Sequence, residues 1–334
     1  MALRSFLHAL QQHHGASPFF ISSSVASSLM QQLDLTSKHE LMALMLEALL
    51  PLSVSPVSRF AAAAAACAVD SGHFYGGVNI EFEGVGLNNS VHAEQCLVLN
   101  MTMRREGAIE HVATAPAPCG HCRQFFRETY RSETMHTTVF DKQQTTEAGD
   151  DHHHAVVATY RVHKRGSQSL LELLPLSFSP ADLGCQRVLL QHYQEQPRFR
   201  IASHESDATH VDQEMLALGL AALQLAYAPH TRCYSSAVVR LAGSLSASAP
   251  RYFSGVYLEN AAYNPSLPPF QGAVASMVVA GLGASSLHDI EQVLLLEQHG
   301  AQVSQHQATV AALHAIAPTA SVHVVAIVPI DGSS

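Results

Sequence analysis

Four side chains in two short stretches carry the chemistry of this sequence. They are His92 and Glu94 in Val91-His92-Ala93-Glu94, and Cys119 and Cys122 in Pro118-Cys119-Gly120-His121-Cys122. An imidazole and two thiolates suit a zinc ion, which in catalytic sites keeps one position open for water. Two thiolates and a neutral imidazole roughly cancel the dication. Glu94, two residues past His92, points in another direction. A carboxylate beside a metal's water is placed to take its proton and return it to a substrate.

These residues need elements to position them. Cys119 and Cys122 at i, i+3 share a helix face. Pro118 suits the first helical position, and the helix N-terminus lowers thiol pKa values. His92 opens a second helix, expected to run to about Glu106. Strands are expected at His111–Ala115, Thr137–Asp141 and Ala155–His163, with a polar loop over Lys142–His154. Residues 1–50 read as largely helical, with helical apolar spacing from Phe19 to Leu50 before Pro51. Ala61–Ala66 favours helix by propensity. It leads, however, through Asp70-Ser71-Gly72 into the strand-like Phe74–Phe82, so a β-hairpin is expected. Such alternation predicts an α/β layer fold around one central sheet.

The sequence repeats itself. His73–Phe82 aligns without gaps with Arg251–Asn260, 178 residues on, and Ser55–Arg59 matches Ala228–Arg232, 173 residues on. A five-residue insertion must therefore separate the two matches in the second copy. A linker is expected over Leu173–Gln196, followed by a helix from about Asp207 to Tyr227. Extending the 178-residue offset puts Phe270 opposite His92 and Gly272 opposite Glu94. The only cysteine after Cys185 is Cys233, so the second copy lacks the metal motif and is expected to be structural.

Composition narrows the class. The 334 residues carry a net charge of −9 and no run of Lys and Arg. That disfavours a polynucleotide partner, whose phosphates call for a basic face. The amphipathic N-terminus is no signal h-region, and no stretch approaches the ~18 apolar residues of a membrane span. A soluble, cytoplasmic protein is expected. Six cysteines are too sparse for a disulfide scaffold, and Cys67, Cys96, Cys185 and Cys233 are expected to be small buried hydrophobes.

The His-x-Glu…Pro-Cys-x-x-Cys pattern is the signature of zinc deaminases. Together with Val91–Gln95, Pro118–Gln124, the linker Leu173–Leu183 and Glu259–Pro269, it makes the chain resemble the long, two-copy form of the zinc-dependent cytidine deaminase family. The resemblance runs from about residue 40 to the C-terminus. It implies a duplicated three-layer α/β/α cytidine-deaminase-like fold with an N-terminal helical segment. The expected division is residues 1–50 helical, 51–172 catalytic, 173–205 linker and 206–334 a degenerate, non-catalytic copy. It also implies one zinc per chain on His92, Cys119 and Cys122, with Glu94 as proton shuttle. Asn79 and Glu81 would bond the ribose hydroxyls, Phe60 would stack near the base, and Phe178 would close the site, in its own or a partner subunit. The implied reaction is hydrolytic deamination of cytidine, and of deoxycytidine, in a homodimer that binds neither nucleic acid nor membrane.

Other readings of the same residues stay open at this level. Cys119 and Cys122 could form a redox pair. His121 could close a structural zinc site, although helical spacing turns it from the cysteine face. Asn79 and Glu81 could be ordinary edge-strand polar residues, and Phe60 and Phe178 interface aromatics. The His152–His154 run reads as solvated loop, and Arg123 and Gln124 as helix-surface or supporting groups. A nucleotide or nucleic-acid cytosine deaminase would share the zinc motif, but a carboxylate at Glu81 would repel a phosphate.

Overall fold

The computed structural model describes residues 2–146, 156–192, 197–202, 211–243 and 251–330. Two sheets are each built around an antiparallel hairpin. The first contains β1 (Phe20–Ile21), β2 (Ala63–Ala68), β3 (Phe74–Val78), β4 (Ile109–Ala115), β5 (His136–Thr146) and β6 (Val156–Ser169), in the order β1-β3-β2-β4-β5-β6. Helices α1 (Ala2–Gln11), α2 (Ser23–Gln32) and α3 (Lys38–Leu49) precede the hairpin. Helix α4 (Ala93–Met103) follows it, and α5 (Gly120–Phe126) makes the crossover between the parallel β4 and β5.

The last four residues of the six-alanine run, Ala63–Ala66, open strand β2. β2 pairs with β3 (Ala63↔Val78 to Cys67↔Phe74) and with β4, and every residue from Ala63 to Ala68 is buried. Tertiary context overrides helical propensity because small side chains let helices come close to both faces of the sheet. Successive residues of a strand face opposite sides. A Cβ on Gly76 would meet the Leu49 side chain of α3, while one on Gly77 would overlap the Ala93 carbonyl and the Leu97 amide of α4. Helices α3 and α4 therefore cover opposite faces. This gives three layers.

The second sheet repeats the plan. A short α6 (Leu170–Leu173) and the linker lead to β7 (Phe199–Ile201) and α7 (Gln213–Leu223). Then come β8 (Ser235–Leu241), β9 (Tyr252–Val256), α8 (Pro269–Val279), β10 (Ile290–Gln298), α9 (His306–Ile316) and β11 (Ser321–Pro329), in the order β7-β11-β10-β8-β9. β8 and β9 stand for β2 and β3, and β10 and β11 for the parallel β4 and β5. The connection after β8 spans residues 242–251 against 69–73 after β2, so the five-residue insertion lengthens the hairpin loop. Helix α4 packs against α8, joining the two halves.

Several expectations need correction. Phe20 and Ile21 leave the helical run to form edge strand β1 (Phe20↔Tyr75, Ile21↔Phe74), because their apolar side chains extend the sheet. Lys142–Thr146 continue β5 opposite Val156–Tyr160 and are not loop. The rest of that expected loop, including His152–His154, lies outside the described residues. The helix expected over Asp207–Tyr227 is described as Gln213–Leu223. Cys67, Cys96 and Cys233 are buried, but Cys185 is only partly so.

The register of the second copy also shifts. The bridge Ile80↔Val91 before α4 has its counterpart in Leu258↔Leu267 before α8. Two residues are missing between them, so the offset falls from 178 to 176. Pro268, not Phe270, stands at the helix N-cap opposite His92, and Phe270 stands opposite Glu94.

Candidate zinc site

His92 is the N-cap of α4, in extended conformation, and Cys119 holds the same position on α5. Pro118 therefore precedes the helix and does not occupy its first turn. Cys122 lies one turn into α5 and is buried. His92 Nδ1 lies 3.6 Å from Cys119 Sγ and 3.3 Å from Cys122 Sγ, and the two sulfurs are 3.5 Å apart. Tetrahedral zinc with ordinary Zn–S and Zn–N bonds asks for about 3.8 Å between sulfurs and about 3.6 Å between sulfur and nitrogen. The donor set and its spacing fit zinc.

Among the described residues this is the one cluster of His, Cys, Asp and Glu close enough to hold a metal, and it has three members. His121 is not among them. Its ring stacks on His92 with centroids 4.7 Å apart, as its turn away from the cysteine face requires.

Glu94 sits in the first turn of α4, buried, with Oε2 accepting from Cys122 Sγ at 3.0 Å. It lies outside the donor cluster. Burial raises its carboxyl above the usual range, which favours holding a proton. Cys119 is pushed down to about 3, first by its hydrogen bond with Cys122 and then by that with His92.

A cavity of about 330 Å³ opens over these groups, lined by Phe60, Asn79, Glu81, His92, Glu94, Cys119 and Cys122 among others. Asn79 and Glu81 face it from beyond the end of β3. Asn79 Oδ1 accepts from Ser53 Oγ (2.6 Å) and the Ala62 amide (2.8 Å), and its Nδ2 donates to the Phe60 carbonyl (2.9 Å). Glu81 accepts from the Val57 and Ser58 amides at 3.1 and 2.9 Å and from Ser58 Oγ. Both residues thus hold the loop that carries Phe60, a residue 59% exposed that lines the cavity.

Phe178 is not brought to this cavity. It lies partly exposed on the linker, where its carbonyl accepts from Gln124 Nε2 at 2.6 Å. Arg123 donates to the Pro118 and Leu173 carbonyls and Arg127 to Ser177 Oγ, so α5 is tied to the linker along one side.

Sequence reasoning missed two buried groups that join the site-bearing helices to the second half. Gln95 accepts the His92 amide at 2.9 Å. Glu128, fully buried past the end of α5, turns its carboxylate to the second half, against Tyr227 OH, His230 Nε2 and the Ala261 amide. The signal for Glu128 was a charged residue two places after the apolar pair Phe125-Phe126. For Gln95 it was an amide at the third position of a helix.

Two matches to one family model, the cytidine and deoxycytidylate deaminase zinc-binding region, cover residues 36–138 and 170–310. A cytidine deaminase from Aeromonas hydrophila subsp. hydrophila is 34% identical over 273 residues, 80% of this chain and 78% of that protein. The chain belongs to the cytidine and deoxycytidylate deaminase family. A cytidine deaminase from Vibrio cholerae serotype O1 is 31% identical over 81% of this chain and 79% of its own length. A solved cytidine deaminase from Burkholderia pseudomallei, 22% identical, covers 42% of this chain and 100% of its own, with a TM-score of 0.33. The fold is the family's duplicated α/β deaminase fold. The second match is to a zinc-binding region, yet Pro268 and Phe270 stand there in place of the histidine and the glutamate.

Proposed function

We propose that this deaminase hydrolyses the exocyclic amine of cytidine, and of deoxycytidine, releasing ammonia. The convergence of His92 Nδ1 with the sulfurs of Cys119 and Cys122, beside a carboxyl that is not part of the cluster, carries this reading. Zinc held there supplies an acidified water and Lewis acidity. The rest belongs to the chain. Glu94, with its carboxyl raised by burial, takes the water's first proton and delivers it to the ring nitrogen. It then passes the remaining proton of the added hydroxyl to the amine, which leaves as ammonia as the ring carbonyl forms.

Asn79 and Glu81 are the groups proposed for the ribose hydroxyls. Their loop contacts leave room for this, since Asn79 has one amide hydrogen over and Glu81 has used three of about four acceptor positions. Phe60 offers its exposed ring to the base. The Glu81 carboxylate disfavours a phosphate, and so a nucleotide.

We also propose a homodimer acting in the cytoplasm. Exposed apolar side chains support the dimer at Leu171, Leu176, Phe178 and Leu183 of the linker region and at Phe60 and Leu87 around the cavity. Such a surface is best covered by a second copy, which brings Phe178 to the partner's site. Among the described residues no helix is long and apolar enough to cross a membrane. The proposed division is a helical segment over 1–50, a catalytic unit over 51–172, a linker over 173–205 and a metal-free unit over 206–334.

An ultraviolet assay on cytidine, deoxycytidine and cytidine monophosphate tests the reading. Turnover of both nucleosides and little of the nucleotide is expected. Preference for the nucleotide, or no turnover by zinc-loaded protein, would contradict it.

A further inference from the structure

One buried side chain ties the backbone of His92 to the second half. Gln95, 2% exposed, accepts the His92 amide on Oε1 at 2.9 Å and donates from Nε2 to the Pro265 carbonyl at 2.9 Å. Pro265 belongs to the loop between β9 and α8 in the second half. A single buried amide therefore joins the backbone of a donor residue to the far half of the chain, and both of its ends are engaged.

The internal repeat supplies a control. With the 176-residue register, Gln271 is the counterpart of Gln95, at the same position of α8, and is 1% exposed. The residue opposite His92 is Pro268, which has no N–H for the amide to accept. Gln271 Nε2 is buried without a hydrogen-bond partner among the described residues. Where the donor histidine is gone, the glutamine has lost its cap donor and its amide nitrogen is orphaned. The pairing in the first half is thus not a by-product of helix α4 packing on α8, because the same helix position in the same packing lacks it.

We propose that Gln95 is a positioning residue through which the second half holds His92 in its orientation toward the metal. Groups that orient ligands reduce the freedom of the donor atom and so slow metal loss. The inference rests on the zinc reading above.

Full-length zinc-loaded protein is mixed with a chromophoric chelator, and metal release is timed for wild type, Gln95→Leu, Gln95→Glu and Gln271→Leu, alongside kcat and KM for cytidine. Gln95→Leu is expected to release zinc roughly 10- to 100-fold faster, with kcat lowered and KM within about twofold of wild type. Gln95→Glu should fall with it, because it keeps an acceptor for His92 but has no N–H for Pro265. Gln271→Leu, which removes an amide whose nitrogen has no partner among the described residues, should release zinc at the wild-type rate. Wild-type release from Gln95→Leu, or equal acceleration in Gln271→Leu, overturns the proposal. Should Gln95→Leu fail to fold, wild-type release from Gln95→Glu overturns it instead. Zinc-bound wild type that does not turn over cytidine would remove the deaminase reading and leave the comparison of release rates standing. A chain that takes up no zinc would remove both.

Discussion

Glu81 and Glu259, 178 residues apart, accept the same three hydrogen bonds. Glu81 takes the amides of Val57 and Ser58 and the Ser58 hydroxyl, and Glu259 takes the amides of His230 and Thr231 and the Thr231 hydroxyl. Arg59 and Arg232, one residue after each hydroxyl, share φ 57°. The second copy binds no metal by this motif, so the shared work is architectural. Each carboxylate folds the lead-in loop over the end of its hairpin, and in the first copy that loop delivers Phe60 to the cavity.

Removing either carboxylate should therefore cost similar stability. Glu81→Ala and Glu259→Ala each remove the charged acceptor of two loop N–H groups and a hydroxyl, a loss of about 1–3 kcal/mol in urea unfolding. Only Glu81→Ala should raise KM for cytidine, since only its loop borders the cavity. A stability loss confined to one variant, or an unchanged KM in Glu81→Ala, would show that the symmetry is incidental.

The close approach of strand and helix should be equally intolerant in both halves. A Cβ on Gly77 overlaps the α4 backbone, and one on Gly255 overlaps the Ala273 amide and the Gly272 carbonyl carbon of α8. Gly77→Ala and Gly255→Ala should each lose about 1–3 kcal/mol or more, because backbone cannot yield as a side chain can. Gly77→Ala should also lower kcat, since α4 carries His92 and Glu94. Thermal melts and initial rates on the two variants check this.

Acid should weaken the protein partly through His111. Burial, with the neighbouring His39 and His136, lowers its imidazole from 6.5 to about 4, and its Nε2 lies 2.8 Å from Thr138 Oγ1. Glu110 opposes the shift and Lys38 adds to it. A histidine with a depressed folded-state pKa stays neutral while the unfolded chain protonates, so stability falls as pH drops from 6.5 to about 4. His111→Asn should flatten unfolding free energy against pH in that window. Carboxylates held low, such as Glu106 and Glu110, titrate below 4.5 and act under it.

The donor side chains were legible in the sequence because i, i+3 spacing and a turn before each helix constrain where short side chains point. The hairpin over Ala63–Val78 was legible too, against propensity, from Asp70-Ser71-Gly72 and the strand pattern after it. What was not legible depended on three dimensions. Nothing local distinguishes Phe20-Ile21 as a strand from one more turn of helix until β3 offers its edge. A two-residue deletion between Leu258 and Leu267 leaves no mark in an ungapped repeat, so the partner of His92 was misassigned. Gln95 and Glu128 find their partners 170 and 99 or more residues away, in contacts that exist only once the halves dock.

Zinc-edge X-ray absorption on the full-length protein, with and without the Glu94→Ala substitution, probes the donor set directly. The expected spectrum has two sulfurs at about 2.3 Å and light-atom ligands at about 2.0–2.1 Å, of which one is solvent. It should be unchanged in Glu94→Ala, while that variant no longer turns over cytidine. A shell filled by four protein ligands, loss of zinc on removing Glu94, or undiminished turnover without it would contradict the assignment.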